Sequence, residues 1–108
     1  MSFVNVAKAA DILTGQMKSY VVDSKEILIV NYEGKYFAIA ARCSHMGGNL
    51  EKGNLTEKIV TCPLHGSKFD ATTGSCISGP KIGFIKLKTK DLTTYEVKVE
   101  DSNIKISL

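Results

Sequence analysis

The chain has 108 residues, 44% of them hydrophobic and 23% charged, the size and make-up of one ordinary globular domain that buries a core without help from disulfides. That length leaves no room for a second, catalytic domain, and no tract is polar enough to be disordered. The net charge of +3 is spread along the chain rather than gathered into a block, so nucleic acid is not expected as a partner.

Most segments read as short strands separated by turn residues, and the fold expected is an antiparallel all-β domain, a sandwich or three-sheet arrangement. In chain order, a strand is expected from Phe3 to Val6, a turn of helix within Ala7 to Leu13, and a strand from Lys18 to Val22. A hairpin joins Glu26 to Tyr32 with Lys35 to Ala41 through Glu33-Gly34, its first arm carrying the apolar run Ile27 to Val30 of a well-buried strand. Lys58 to Thr61 and Ile85 to Lys88 are further strands. Tyr95, Val97 and Val99, then Ile104, Ile106 and Leu108, alternate with polar residues around an Asp101-Ser102-Asn103 turn, the pattern of a half-buried hairpin. The run Ile27 to Val30 is far too short to cross a bilayer, and Met1 to Asn5 lacks the features of a signal peptide. A cytoplasmic protein with no membrane span is expected.

Strand patterning breaks between Arg42 and Pro80, where six of the nine glycines and both prolines lie. Such a stretch reads as shaped loops on a β scaffold, about 42–80 set within a base of 1–41 and 81–108. Inside it stand Cys43-Ser44-His45 and Cys62-Pro63-Leu64-His65, separated by 16 residues and containing both histidines of the chain. Neither spacing is the i, i+4 step of a helix face, so each pair belongs on a loop, and two such loops would pinch a metal between them. Two thiolates and two imidazoles suit one tetrahedral Zn²⁺ or a [2Fe-2S] cluster, and spacing alone leaves both open.

The segments Cys43-Ser44-His45-Met46-Gly47-Gly48 and Cys62-Pro63-Leu64-His65-Gly66-Ser67-Lys68-Phe69-Asp70 resemble the two cluster loops of the small soluble Rieske-type ferredoxins. Thr73-Gly74 and Ser78-Gly79-Pro80 resemble the hairpin turn and proline loop that follow in that family. The resemblance implies one Rieske-type [2Fe-2S] cluster with Cys43 and Cys62 on the inner iron and His45 and His65 on the outer one. Met46, Leu64, Gly66, Ser67, Phe69 and Pro80 are expected to surround these ligands. Ser67 stands where high-potential relatives have a serine donating to a bridging sulfide, whereas Phe69 stands where they have a tyrosine donating to a ligand sulfur. Those relatives also join an extra cysteine from each loop, and Gly48 and Leu64 occupy the matching positions here. Both departures imply the lower-potential, ferredoxin branch.

An oxygenase would need a separate mononuclear iron site, and both histidines are already used. The expected function is therefore one-electron transfer, by transient docking of a monomer with a reductase and a terminal acceptor such as an oxygenase. The small Rieske-like subunit of an assimilatory nitrite reductase is the alternative within redox chemistry, and a structural zinc module the alternative outside it. Cys76 reads as a small hydrophobe on the strand after the Thr73-Gly74 turn.

Overall fold

The computed structural model describes residues 3–44, 47–64, 66–78 and 90–108, with the main chain of 81–82 and 85–86. The described residues form twelve strands: β1 (Phe3–Lys8), β2 (Met17–Val22), β3 (Lys25–Tyr32), β4 (Lys35–Ala40), β5 (Asn54–Thr56), β6 (Ile59–Thr61), β7 (Lys68–Asp70), β8 (Cys76–Ser78), β9 (Lys81–Ile82), β10 (Ile85–Lys86), β11 (Thr94–Glu100) and β12 (Asn103–Ser107). They make a six-stranded sheet in the order β1-β12-β11-β4-β3-β2, a four-stranded sheet β5-β6-β7-β8, and the pair β9-β10. Every ladder among the described residues is antiparallel.

Three two-residue turns set the register of the large sheet. Asp23-Ser24, Glu33-Gly34 and Asp101-Ser102 all have positive φ at both positions, between 52° and 83°. That turn geometry matches the right-handed twist of the strands it joins. The helical turn expected before β2 is a 3₁₀ turn, Ala9–Asp11, where the Asp11 carboxylate accepts from the Lys8 N–H at 3.2 Å.

β3 explains its own unbroken apolar run, because its two faces serve different cores. Ile27 and Ile29 pack with Ile12, Ala38, Ile104 and Ile106 in the base. Leu28 and Val30, on the opposite face, pack with Ile39, Cys43, Leu50, Val60, Cys62 and Phe69. Side chains alternate along a strand, so a strand between two cores is apolar at every position. Full burial of each such side chain stabilises by about 1.5–3 kcal/mol. β3 and β4 are thus the shared wall between the base and the part that carries both cysteine loops.

The structure departs from the sequence-based reading in one region. The stretch read as loops contains β5, β6, β7 and β8, each three residues long; β6 is the strand expected at Lys58 to Thr61 and β8 the one expected to carry Cys76, whereas β5 and β7 fall where loop was expected. Three residues give barely one repeat of the two-residue period, so alternation does not reveal β5 and β7. Of the strand expected at Ile85 to Lys88, Ile85–Lys86 is β10, and Leu87 and Lys88 lie outside the described residues.

Candidate metal centre

Both thiols sit in one buried cluster with Phe69 and Leu50; Cys43 is 4% exposed and Cys62 3%. No disulfide joins the three cysteines. Cys43 leaves the end of β4 through Ala41 and Arg42, and Cys62 follows β6 directly. His45, His65, Met46 and Pro80 lie outside the described residues.

The two loops are built alike, although their histidines stand at different offsets. The Cys43 N–H donates to the Gly48 carbonyl at 2.8 Å, and the Cys43 carbonyl accepts from the Gly47 N–H at 2.8 Å. The Cys62 N–H donates to the Ser67 carbonyl at 2.8 Å, and the Cys62 carbonyl accepts from the Gly66 N–H at 3.2 Å. Each loop therefore closes on itself five residues after its cysteine. The residue that reverses the chain is in the left-handed region in both, Gly47 at φ +70° and Gly66 at φ +76°, a conformation that glycine adopts without a Cβ penalty. One backbone design presents each cysteine inward.

The surroundings fit a sulfur-rich group. The Ser67 hydroxyl is buried and has no hydrogen-bond partner among the described residues; a buried donor is costly unless something accepts from it. Phe69 is fully buried in the same cluster as the thiols. At Gly48 an added Cβ would lie 2.7 Å from the Cys62 sulfur and 3.1 Å from a Leu64 methyl, so the two loops touch there through a residue with no side chain. This is also the Gly48–Leu64 meeting point at which the resemblance places a disulfide in other relatives. Leu64 itself is 54% exposed. Two buried thiols, a buried hydroxyl without a partner among the described residues and a glycine cradle fit the sulfur side of a [2Fe-2S] cluster, two of its four ligands.

The loops are tied to the base from two sides. Arg42 donates to Glu26 on β3 and to the Gly47 carbonyl at 3.3 Å. Its hydrogen bond holds the Glu26 carboxyl below its ordinary pKa and raises that of the guanidinium. Asp70, at the end of β7, is raised by burial. Hydrogen bonds from the Thr72 side chain and backbone, together with the Lys58 charge, outweigh that, leaving it below the usual carboxylate value.

On the other side, residues 90–93 bind a different element at each step. The Lys90 carbonyl accepts from the Ser44 hydroxyl, and the Asp91 carboxylate accepts from the Cys76 N–H at 2.8 Å. The Leu92 N–H donates to the Gly74 carbonyl at 2.7 Å, and the Thr93 carbonyl accepts from the Ala40 N–H at 2.9 Å. Nothing in the local sequence marks this strap. Cys76 packs against the buried cluster from β8, as a small hydrophobe does. Asp91→Ala is expected to lower the thermal midpoint by about 5 °C, and Asp91→Asn, which keeps an acceptor, by much less. Equal midpoints for the two variants in differential scanning calorimetry would remove the carboxylate–Cys76 bond from this account.

Comparison with known proteins agrees with this geometry. The family model for the Rieske [2Fe-2S] domain matches residues 2–96. The ferredoxin component of the naphthalene 1,2-dioxygenase/salicylate 5-hydroxylase systems of Ralstonia sp is 30% identical over 107 residues, 99% of this chain and 96% of that one. The naphthalene 1,2-dioxygenase ferredoxin component of Pseudomonas putida is 29% identical over 108 residues, covering 100% and 97%. Among solved structures, the ferredoxin of carbazole 1,9a-dioxygenase from Nocardioides aromaticivorans IC177 superimposes with a TM-score of 0.81 at 26% identity, covering 99% and 98%. The metal that ligand spacing left open is therefore the cluster rather than zinc. With its antiparallel β scaffold, paired cysteine loops and this similarity over its whole length, the chain belongs to the Rieske [2Fe-2S] domain family and is an electron carrier that holds one Rieske [2Fe-2S] cluster.

Proposed function

We propose that Cys43 and Cys62 bind the inner iron through sulfur and that His45 and His65 bind the outer iron through a ring nitrogen. The observation that carries this reading is the common backbone design of the two loops, which brings both thiols into one buried cluster beside the Ser67 hydroxyl. All of 1–108 is then a single Rieske domain, with a cluster-binding subdomain of about 42–80 set into a base of 1–41 and 81–108. Bound there, the cluster supplies a one-electron couple raised by the replacement of two thiolates with neutral imidazoles.

The chain's own residues tune and protect that couple. The two cysteines are held where water is excluded, the buried Ser67 hydroxyl would be available to donate to a sulfur of the bound group, and Phe69 offers no second donor. The naphthalene dioxygenase relatives are ferredoxin components by name. On the proposed reading the protein takes one electron from a reductase and passes it to an oxygenase, as a monomer in the cytoplasm. Among the described residues no helix is long and apolar enough to cross a membrane.

Iron and acid-labile sulfide analysis, with optical and electron paramagnetic resonance spectra before and after dithionite, tests the ligand set. About two irons per chain and the low average g of a His-ligated cluster are expected. An all-cysteine type of signal, or wild-type spectra from His45→Ala or His65→Ala, would overturn it. Phe69→Tyr is expected to raise the midpoint potential by about 60 mV, the equivalent of one hydrogen bond to a reduced centre. An unchanged potential with a lowered thermal midpoint would mean that the hydroxyl is buried but reaches no sulfur.

A further inference from the structure

We infer that the end of the molecule carrying the cysteine loops is a cationic docking face, with exposed Leu64 as its apolar centre and Lys52, Lys68 and Lys90 around it, and that it fits an acidic surface of a redox-partner protein. The inference rests on the electron-carrier reading and adds the chemistry of the partner's surface to it.

Each lysine is exposed and is placed by a contact to a loop. Lys90 lends its carbonyl to the Ser44 hydroxyl, next to Cys43. Lys68 follows Ser67, whose carbonyl closes the second loop on the Cys62 N–H. Lys52 precedes Gly53, where an added Cβ would lie 3.2 Å from Pro63 in the second loop. Leu64, 54% exposed, lies in that loop and is met by Gly48 of the first. A single exposed leucine is ordinary; one at the meeting point of two cofactor loops lies where a partner must approach to receive an electron.

Of the acids near this end, two are ion-paired, and Glu51 and Asp91, which keep their charge, are turned back onto the fold by backbone N–H donors. Glu26 is paired with Arg42 and Asp70 with Lys58. Glu51 accepts from the Ser19 N–H of β2 at 2.7 Å, and Asp91 from the Cys76 N–H at 2.8 Å. Glu57 stands in the turn between β5 and β6, at the end of β6 away from Cys62, roughly 15 Å along an extended chain. Lys52, Lys68 and Lys90 have no ion pair among the described residues, and the sequence from Ala71 to Lys90 contains no acid. The overall charge of only +3 is thus unevenly placed, and a local field of one sign steers an oppositely charged partner and sets its orientation.

Stopped-flow oxidation of the dithionite-reduced protein by two one-electron oxidants of opposite charge, ferricyanide and tris(1,10-phenanthroline)cobalt(III), tests the face. In each case the protein loses one electron and the reagent metal gains it, as Fe(III) to Fe(II) or Co(III) to Co(II). For the wild-type protein, added salt is expected to slow ferricyanide and speed the cobalt complex, and poly-L-aspartate, as a surrogate acidic surface, to slow ferricyanide. The triple variant Lys52→Glu, Lys68→Glu, Lys90→Glu is expected to reverse both salt trends, to lose roughly tenfold in ferricyanide rate at low salt, and to ignore poly-L-aspartate. A control variant, Lys8→Glu, Lys25→Glu, Lys35→Glu, carries the same net charge on the base strands. Equal effects of the two variants, or rates indifferent to both, would overturn the docking face. A protein that takes no electron from dithionite would instead overturn the ligand assignment beneath it, so the two failures are distinct.

Discussion

Gly53→Ala is expected to destabilise the protein by about 3 kcal/mol, a loss of roughly 15 °C in thermal midpoint for a domain of this size. An added Cβ would stand 1.9 Å from the carbonyl oxygen of Thr61, and 3.2 Å from Pro63. The obstacle is backbone, which cannot rotate away as the tip of a long side chain can. Thr61 is the last residue of β6 and pairs with both Asn54 and Lys68, so its carbonyl moves only if the four-stranded sheet distorts. Cys62 follows immediately, and the strain therefore falls on a cysteine loop as well as on the fold. Val21→Ala, at a position 72% exposed on the outer strand β2, is the control and should change stability by no more than about 0.5 kcal/mol. Scanning calorimetry decides the matter: similar midpoints for the two variants would mean that the segment at Gly53 gives way without cost.

The second large effect is expected on the metal rather than on the fold. Gly48→Ala would place a methyl group 2.7 Å from the Cys62 sulfur, displacing a ligand whose position must be held closely. Overpacking of about 1.4 kcal/mol or more directed at that sulfur corresponds to roughly a tenfold loss in cluster occupancy. Iron and sulfide per chain measure it directly. Leu64 also flanks the added methyl, at 3.1 Å, so the double variant Gly48→Ala, Leu64→Ala separates the two contacts. If the sulfur is the obstacle, removing the leucine does not restore iron. Full iron content in Gly48→Ala would exclude close contact between the loops at this point.

Electron carriage asks little of this chain beyond holding a centre in place and leaving one side of it open to a partner. The molecule answers with two cores divided by β3 and β4. One stabilises the base; the other contains the thiols. Because Leu28 and Val30 reach the thiol-containing core from the strand whose Ile27 and Ile29 hold the base, changes in either core are transmitted through a single wall. The strap at 90–93 adds a second connection, joining Ser44, Gly74, Cys76 and Ala40 within four successive residues.

Sequence alone determined the all-β class, the hairpins at Glu33-Gly34 and Asp101-Ser102-Asn103 (the last of which begins β12), and the two cysteine pairs, because these follow from neighbouring residues: period-two alternation, turn chemistry, and ligand types at short spacing. The same residues could not tell zinc from a cluster, since both metals accept the same four donors; the family resemblance made that choice. Tertiary structure decided what depends on distant residues meeting. The short strands β5 and β7 exist because they pair with β6, not because three residues prefer extended backbone. The Ser44–Lys90 bond spans 46 positions and the Ser19–Glu51 bond 32, and no local pattern foretells either. The likeness of the two cysteine loops was hidden by their unequal cysteine-to-histidine spacing. It emerges only when Gly48 and Ser67 close equivalent hydrogen bonds, because loop closure is set by main-chain geometry, to which the identity of the enclosed side chains is largely indifferent.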